Sequence, residues 1–408
     1  MALAHRTQTS PRSTVVDSLV LPVTLDRQMR YPFNPSPRPT LGIEEEYQIC
    51  DRRSGELVPK VDELMGHADP QMARFLSYDL IRGLIETHTR VAQDVAEGIA
   101  DIVDKRRLIQ QYAEAEGCTL GITGCHPLAD PKETQFVDSE AYQWVRRQLR
   151  YVAQRNITFG LHVHVGVDGA ERAVYVANRL RRWIGPLIAL AANSPFFDGL
   201  DTGWDSSRSI AFGAFPRSGV PPRLESWSHY EALLTGLTEA RAIEKARHIW
   251  WNIRPHPEYG TVELRACDVQ MSMRRTAAIV ALSQALVVAY ADRHRAGEPE
   301  PPLERAYLED GRFKAMRFGL DADVADAETG EVLPLREQVR AMVELAGDAA
   351  ARLGTEPYLA AVEEILDKGN GASYQRRVAR QLQGDLRAVQ LRLLAEAREQ
   401  IDAPDHDR

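Results

Sequence analysis

This 408-residue chain is predicted to adopt an α+β fold, on three observations. Segments with the two-residue alternation of strands fall before residue 270. After Arg274 almost every segment carries the apolar spacing of helices. The strand-like segments also share one pattern, apolar on one face and rich in Glu, His and Arg on the other. That combination suits a mainly antiparallel sheet with helices packed on one side and a helical C-terminal part.

The elements follow in order. Leu41–Cys50 reads as a strand closed by the turn Asp51-Arg-Arg-Ser-Gly55, and Ile81–Thr87 as a second strand. Val91–Glu116 has helical spacing through Val91, Val95, Ile99, Ile102 and Val103. Thr119–Gly124 is a short strand, Ser139–Arg155 an amphipathic helix, Thr158–Gly166 a strand and Ala170–Ala192 a helix. Residues 194–226 are rich in Gly, Pro, Ser and Asp, and a loop of that length in a compact domain is usually functional. Ile249–Arg254 and Thr261–Asp268 read as adjacent strands. Met271–Ala296, Leu335–Leu353, Tyr358–Asp367 and Ala372–Ala397 read as helices. Residues 1–39 carry six prolines among Ser, Thr and Arg, and are expected to be a dispensable, mostly disordered extension, with Tyr31-Pro-Phe33 able to dock on the body. Residues 40–400 are expected to form a single catalytic domain.

Composition narrows the function. Fifty basic against 58 acidic residues give a net charge of −8, which disfavours nucleic acid as a partner. The longest apolar run, Ala277–Ala291, is broken by Ser283 and Gln284 and is too short to span a membrane. Cys50, Cys118, Cys125 and Cys267 form no C-x-x-C pair, and nothing near the N-terminus resembles a secretion signal, so a reduced cytoplasmic protein is expected.

Strand parity points to chemistry. In Leu41–Cys50, Glu44, Glu46 and Gln48 share one face, while Glu45 falls with Leu41, Ile43, Tyr47 and Ile49. In Thr158–Gly166, His162 and His164 stand with Gly160 and Gly166 opposite the apolar Phe159, Leu161, Val163 and Val165. In Thr261–Asp268, Glu263 and Arg265 face away from Val262, Leu264 and Ala266, together with Thr261 and Cys267. Ile81–Thr87 adds Arg82 and Glu86. Any one of these strands could be a solvated sheet face or carry a simple ion pair. Four of them make a polar face of carboxylates, imidazoles and arginine, suited to a divalent cation and phosphate. An oxygen-rich ligand set with a minority of His favours Mg²⁺ or Mn²⁺ over Zn²⁺. No P-loop or Rossmann fingerprint is present, so a nucleotide would be held by metals, arginines and the sheet itself.

Leu41-Gly-Ile-Glu-Glu-Glu46, Gly160-Leu-His-Val-His-Val-Gly166 and Gly260-Thr-Val-Glu-Leu-Arg265-Ala-Cys-Asp268 resemble signature segments of the glutamate–cysteine ligase type 2 family of carboxylate–amine ligases. So do Ser194–Gly203, Ser206-Ser-Arg208, Arg254-Pro255 and Gly369-Asn-Gly-Ala372 with Gln375-Arg376. The resemblance implies a glutamine-synthetase-like fold, whose concave sheet floor binds ATP and two divalent ions. It implies Glu44, Glu46, Glu86, His164 and Glu263 as metal ligands. His162, His164, Arg254 and Arg265 would face the nucleotide, and Glu263, Arg265 and Arg208 would serve the chemistry. It implies a glutamate-like acid and a cysteine-like amine, joined through an acyl phosphate, and it allows a homodimer. Asn252 and Cys125 depart from the family pattern, near the expected substrate side. A metal-dependent hydrolase built on the H-x-H strand, or an inactive ATP-binding regulatory homologue, are the alternatives.

Overall fold

A computed structural model describes residues 31–402. Its centre is a sheet of seven strands among the described residues: β1 (Leu41–Asp51), β2 (Leu76–Ser77), β3 (Leu84–His88), β4 (Cys118–Gly121), β5 (Gly160–Gly166), β6 (Ile253–His256) and β7 (Thr261–Asp268). Their order is β6-β7-β5-β1-β3-β2, with β4 also paired to β1, and every pairing is antiparallel. The register sets Glu44 opposite both His162 and His88, Glu46 opposite Glu86, and Glu263 opposite His164 and Arg254.

Alternation drives the apolar faces inward. Leu41, Ile43, Leu161, Val163, Val165, Val262 and Leu264 pack against the helices Ala170–Leu180, Ile184–Ala191, Met273–Arg295, Leu335–Leu353 and Glu356–Lys368. A second core joins Tyr47, Ile49 and Ile85 to the helix Val95–Ala115 and the terminal helix Leu386–Asp402. Met273–Arg295 is buried over most of its length, which explains its nearly continuous apolar sequence. Among the described residues no helix is long and apolar enough to cross a membrane.

Several boundaries differ from the sequence reading, for local reasons. The second strand begins at Leu84, because residues 82–83 form a turn; Arg82 there pairs with Asp62 at 2.5 Å and stays out of the cleft described below. The helix expected from Val91 begins at Val95, where Asp94 caps it by accepting from the Glu97 amide at 2.8 Å, and Val91 is exposed. Ser139–Arg155 splits at Arg150, whose φ of 45° ends a right-handed turn. Ala170–Ala192 passes through a 3₁₀ turn before Ile184–Ala191, which places Pro186 in a first turn, where no intrahelical amide bond is lost. Ala372–Ala397 divides at Gln383-Gly384, both at positive φ, into Gly371–Gln381 and Leu386–Asp402. Residues 194–226 contain the short helix Ser207–Gly213.

The N-terminal boundary also differs. The compact body begins at Tyr31. The amides of Asn34 and Ser36 donate to the carbonyls of Pro257 and Val167, each at 2.9 Å, and Phe33 packs edge-on against Trp227. Residues 31–39 are therefore part of the body. The expectation for 1–30 lies outside the described residues.

Candidate active site

The polar sheet face floors a cleft of about 1010 Å³. Glu44, Glu46, Glu86, His162, His164, Arg208, Arg254, Glu263 and Arg265 all line it. Glu44 and Glu263 stand on β1 and β7 with β5 between them, a Cα spacing of roughly 10 Å from strand geometry. Their side chains converge on the ring between them. The Nε2 atom of His164 lies 3.2 Å from Glu44 Oε1 and 3.6 Å from Glu263 Oε1, and it has no hydrogen-bond partner, while Nδ1 is 3.0 Å from the Thr261 hydroxyl. Glu44, His164 and Glu263 offer three ligand atoms within 4.8 Å of one another. Two carboxylates and an imidazole fastened by its other nitrogen form a donor set that fits a hard divalent cation.

Glu263 is fully buried and held from both sides. Arg254 Nε donates to its Oε2 at 2.7 Å, and Arg265 donates to Oε1. Burial alone would raise its pKa; the two guanidinium groups and His164 outweigh burial and hold it well below the usual carboxylate range. Glu44 behaves alike, its burial outweighed by His164 and His162. Burial would lower the pKa of His164, but Glu263 and Glu44 raise it. Burial, with Arg265 and Arg208, lowers His162 to about 4, which keeps that ring neutral.

The other half of the acidic floor lacks such compensation. Burial and the neighbouring Asp79 push Glu46 up to about 7, against the pull of Arg208 and Arg265. Burial, with Glu44, Asp79 and Glu46, pushes Glu86 well above its ordinary range. Carboxylates arranged this way ionise fully only when positive charge is supplied beside them.

Two backbone features aim the arginines. The β5–β7 register shifts between Leu264 and Cys267, so a bulge falls at Arg265 and Ala266. Arg265 stays on the cleft side with its Nε unpartnered, but side-chain parity reverses beyond it. Cys267 therefore joins the core, correcting its assignment to the polar face, and Asp268 takes the polar side. The Asp268 carboxylate accepts from the Ser194 hydroxyl at 2.7 Å, the Ser206 hydroxyl at 2.9 Å and the Asn193 amide at 2.8 Å. Ser194 Oγ in turn accepts from the Arg208 amide, and Arg208 reaches His162 Nε2 at 3.3 Å. Gly160 lets this happen, because a Cβ there would meet the Arg208 guanidinium and lie 2.9 Å from His162 Nε2.

Other motif residues turn out to be supports. Asn370 donates to Asp205 at 3.1 Å, Gln375 to the Asn193 carbonyl at 2.8 Å, and Arg376 to Asp201. They brace the 193–206 segment from behind, and Asn252 and Cys125 are likewise buried away from the cleft lining.

Parity reasoning placed Glu45 on the buried face without its partner and missed other residues. Glu45 is not part of a plain apolar face: it is fully buried, bound by Arg106 through Nε at 2.7 Å and Nη2 at 2.5 Å, and it also accepts from Tyr47 and Thr276. Asp79, Tyr142, Arg247, His248 and Tyr259 line the cleft from turns and helices, where no two-residue period marks them, and His88 joins Glu86 on the cleft side at the last position of β3, one residue beyond the strand read from sequence.

The family described as Glutamate-cysteine ligase family 2 matches residues 40–397. A relative from Rubrobacter xylanophilus named for glutamate–cysteine ligase 2-1 is 37% identical over 339 residues, covering 83% of this chain and 90% of its own length. One from Thermobifida fusca, named for glutamate–cysteine ligase 2, is 37% identical over 361 residues, covering 86% and 90%. In fold, a glutamate–cysteine ligase from Francisella tularensis, solved in complex with AMP, superposes with a TM-score of 0.69 at 14% identity, covering 92% of this chain and 91% of its own. A bifunctional glutathione synthetase from Pasteurella multocida gives 0.65 at 15% identity, covering 89% of this chain and 53% of its own.

Proposed function

The chain belongs to the glutamate–cysteine ligase family 2 and is an ATP-dependent carbon–nitrogen ligase, and from that premise we propose that it joins a glutamate-like acid to a cysteine-like amine through an acyl phosphate. The observation that carries the proposal is the buried Nε2 of His164, which faces Glu44 and Glu263 oxygens at 3.2 and 3.6 Å without an aligned hydrogen bond to either, with Arg265 alongside. Glu44, His164 and Glu263 would hold one divalent ion, and Glu46 and Glu86 would hold a second. Mg²⁺ or Mn²⁺ bound there supplies charge neutralisation to phosphate oxygens.

The residues of the chain do the rest by position. Arg265, fixed by Glu263, and Arg208, fixed by Ser194 and Asp268, present guanidinium groups to the transferring phosphoryl group. Arg254 is a positioning residue: Glu263 and the carbonyls of Arg247 and Ile249 occupy it, so it aligns Glu263 rather than meeting the nucleotide. The substrate carboxylate oxygen attacks the γ-phosphorus and ADP departs. The amine then attacks the acyl carbon, phosphate departs with its bonding electrons, and the amine nitrogen releases a proton. The four cysteines are free and buried, so no disulfide argues against a reducing cytoplasm.

Hydroxylamine tests the reaction class, because an acyl phosphate yields to any good nucleophile. With ATP, Mg²⁺ and glutamate, the protein is expected to form a hydroxamate together with equal amounts of ADP and phosphate. Hydroxamate formed at the same rate without ATP would overturn the ligase reading, and a metal-dependent hydrolase would need no ATP at all. Arg265→Lys tests the phosphate contact. It keeps the charge but loses the planar fork, so turnover should fall on the order of 10²-fold, with the melting temperature nearly unchanged. Parallel losses in both would make Arg265 a structural partner of Glu263 only.

A further inference from the structure

Residues 31–39 precede the segment shared with the family, yet four of them, Asn34 to Pro37, form a wall of the cleft. The strap is fastened at both ends. Tyr31 donates its amide to Glu231 at 3.0 Å, its hydroxyl lies 2.9 Å from that of Thr238, and the Phe33 ring meets Trp227 at 5.0 Å. At the far end the Pro39 carbonyl accepts from Gln284 at 2.8 Å. Prolines at 32, 35, 37 and 39 keep the intervening chain extended, so little freedom is lost in holding it.

The strap crosses the turn between β6 and β7. The Asn34 amide donates to Pro257, and the Asn34 carbonyl occupies the place a side chain at residue 260 would need, so Gly260, at φ +65°, is required there. That turn carries Tyr259, which stacks on His256 with centroids 4.1 Å apart and planes 6° from parallel. Tyr259 lines the cleft and is 57% exposed, so one face of a ring braced by another ring is open to the cleft. Its centroid lies 5.6 Å from that of His164, beside the candidate cation-binding cluster.

We infer that the strap and the Tyr259 turn form one clamp for the purine base of the nucleotide, with the base stacked on Tyr259 and its polar edge against Asn34–Pro37. The inference rests on the ATP-dependent ligase reading above. It makes an extension outside the shared family segment a specificity element, and on it residues 31–39 would not be dispensable. Asn34 Nδ2 already donates to the Glu258 carbonyl at 3.4 Å and the Ser36 hydroxyl to the Arg38 carbonyl at 2.8 Å, so beside the flat platform the strap presents acceptor oxygens, which suit the donor edge of a heterocycle.

The test uses the full-length protein with Mg²⁺ and compares equilibrium binding of ADP with that of tripolyphosphate, which lacks a base. Phe33→Ala, which unfastens the strap outside the cleft, should weaken ADP at least fivefold, leave tripolyphosphate unchanged and raise KM for ATP but not for the acid. Phe33→Leu should restore most of the loss. Tyr259→Leu should behave like Phe33→Ala, and Tyr259→Phe like wild type; Tyr259 is exposed, so its replacement does not endanger folding. Equal weakening of ADP and tripolyphosphate, no change in either, or a KM effect confined to the acid overturns the clamp, as does a wild-type protein that fails to bind ADP. Strap-dependent ADP binding without ATP-dependent hydroxamate would sink the ligase reading and leave the clamp standing.

Discussion

Glu44→Gln should cut ATP-dependent product formation by roughly 10²–10³-fold while leaving the fold intact, whereas Glu263→Gln should lose both activity and stability. The contrast follows from their surroundings. The Glu44 side chain is 23% exposed and faces two imidazoles, so its neutral amide leaves no buried cation stranded. The Glu263 side chain is fully buried between Arg254 and Arg265, and an amide there leaves two buried guanidinium groups unpaired. Breaking a buried pair in this way costs about 3–5 kcal/mol. Steady-state hydroxamate formation and denaturant titration on both variants check this. Full activity in Glu44→Gln would remove Glu44 from the metal site, and unchanged stability in Glu263→Gln would show that the two arginines find other partners.

Arg106→Met is expected to be the most destabilising change remote from the cleft, again by about 3–5 kcal/mol, a large share of the roughly 5–15 kcal/mol that holds a domain together. It would strand the Glu45 carboxylate in the core between Tyr47 and Thr276. Arg106 also donates to the carbonyls of Gln270 at 2.7 Å and Met271 at 3.0 Å, tying the helix Val95–Ala115 to the chain just beyond β7. The double variant Glu45→Leu with Arg106→Met should recover much of the loss, because an apolar pair replaces a desolvated ionic one. Chemical denaturation of the two variants decides it. A single variant within about 1 kcal/mol of wild type would mean that Glu45 takes up a proton or a water at little cost.

The sheet floor was legible because strand parity is a local rule. Once Leu41–Asp51, Gly160–Gly166 and Thr261–Asp268 are strands, Glu44, Glu46, His162, His164, Glu263 and Arg265 must point to the face opposite their apolar neighbours. The rule failed where geometry departs from a plain strand. A bulge at Arg265-Ala266 reversed Cys267 and Asp268. For Glu45 the rule held, and it is buried on the apolar face, but its partner lies on a helix sixty-one residues away and no local pattern marks it.

By itself, the sequence determined which side chains share a face, the oxygen-rich character of the site, and the family through its ordered motifs, since all of these depend on spacing along the chain. Tertiary structure alone decided that Asp79 and Tyr259 join the cleft, that Arg254 serves Glu263, and that residues 31–39 belong to the body. Asp79, Tyr259 and residues 31–39 sit on turns and an extended strap, where backbone periodicity carries no directional signal, and for Arg254, on β6, periodicity gives a face but not a partner. Their positions come from contacts with residues far away in the chain, such as Asn34 with Pro257 and Phe33 with Trp227.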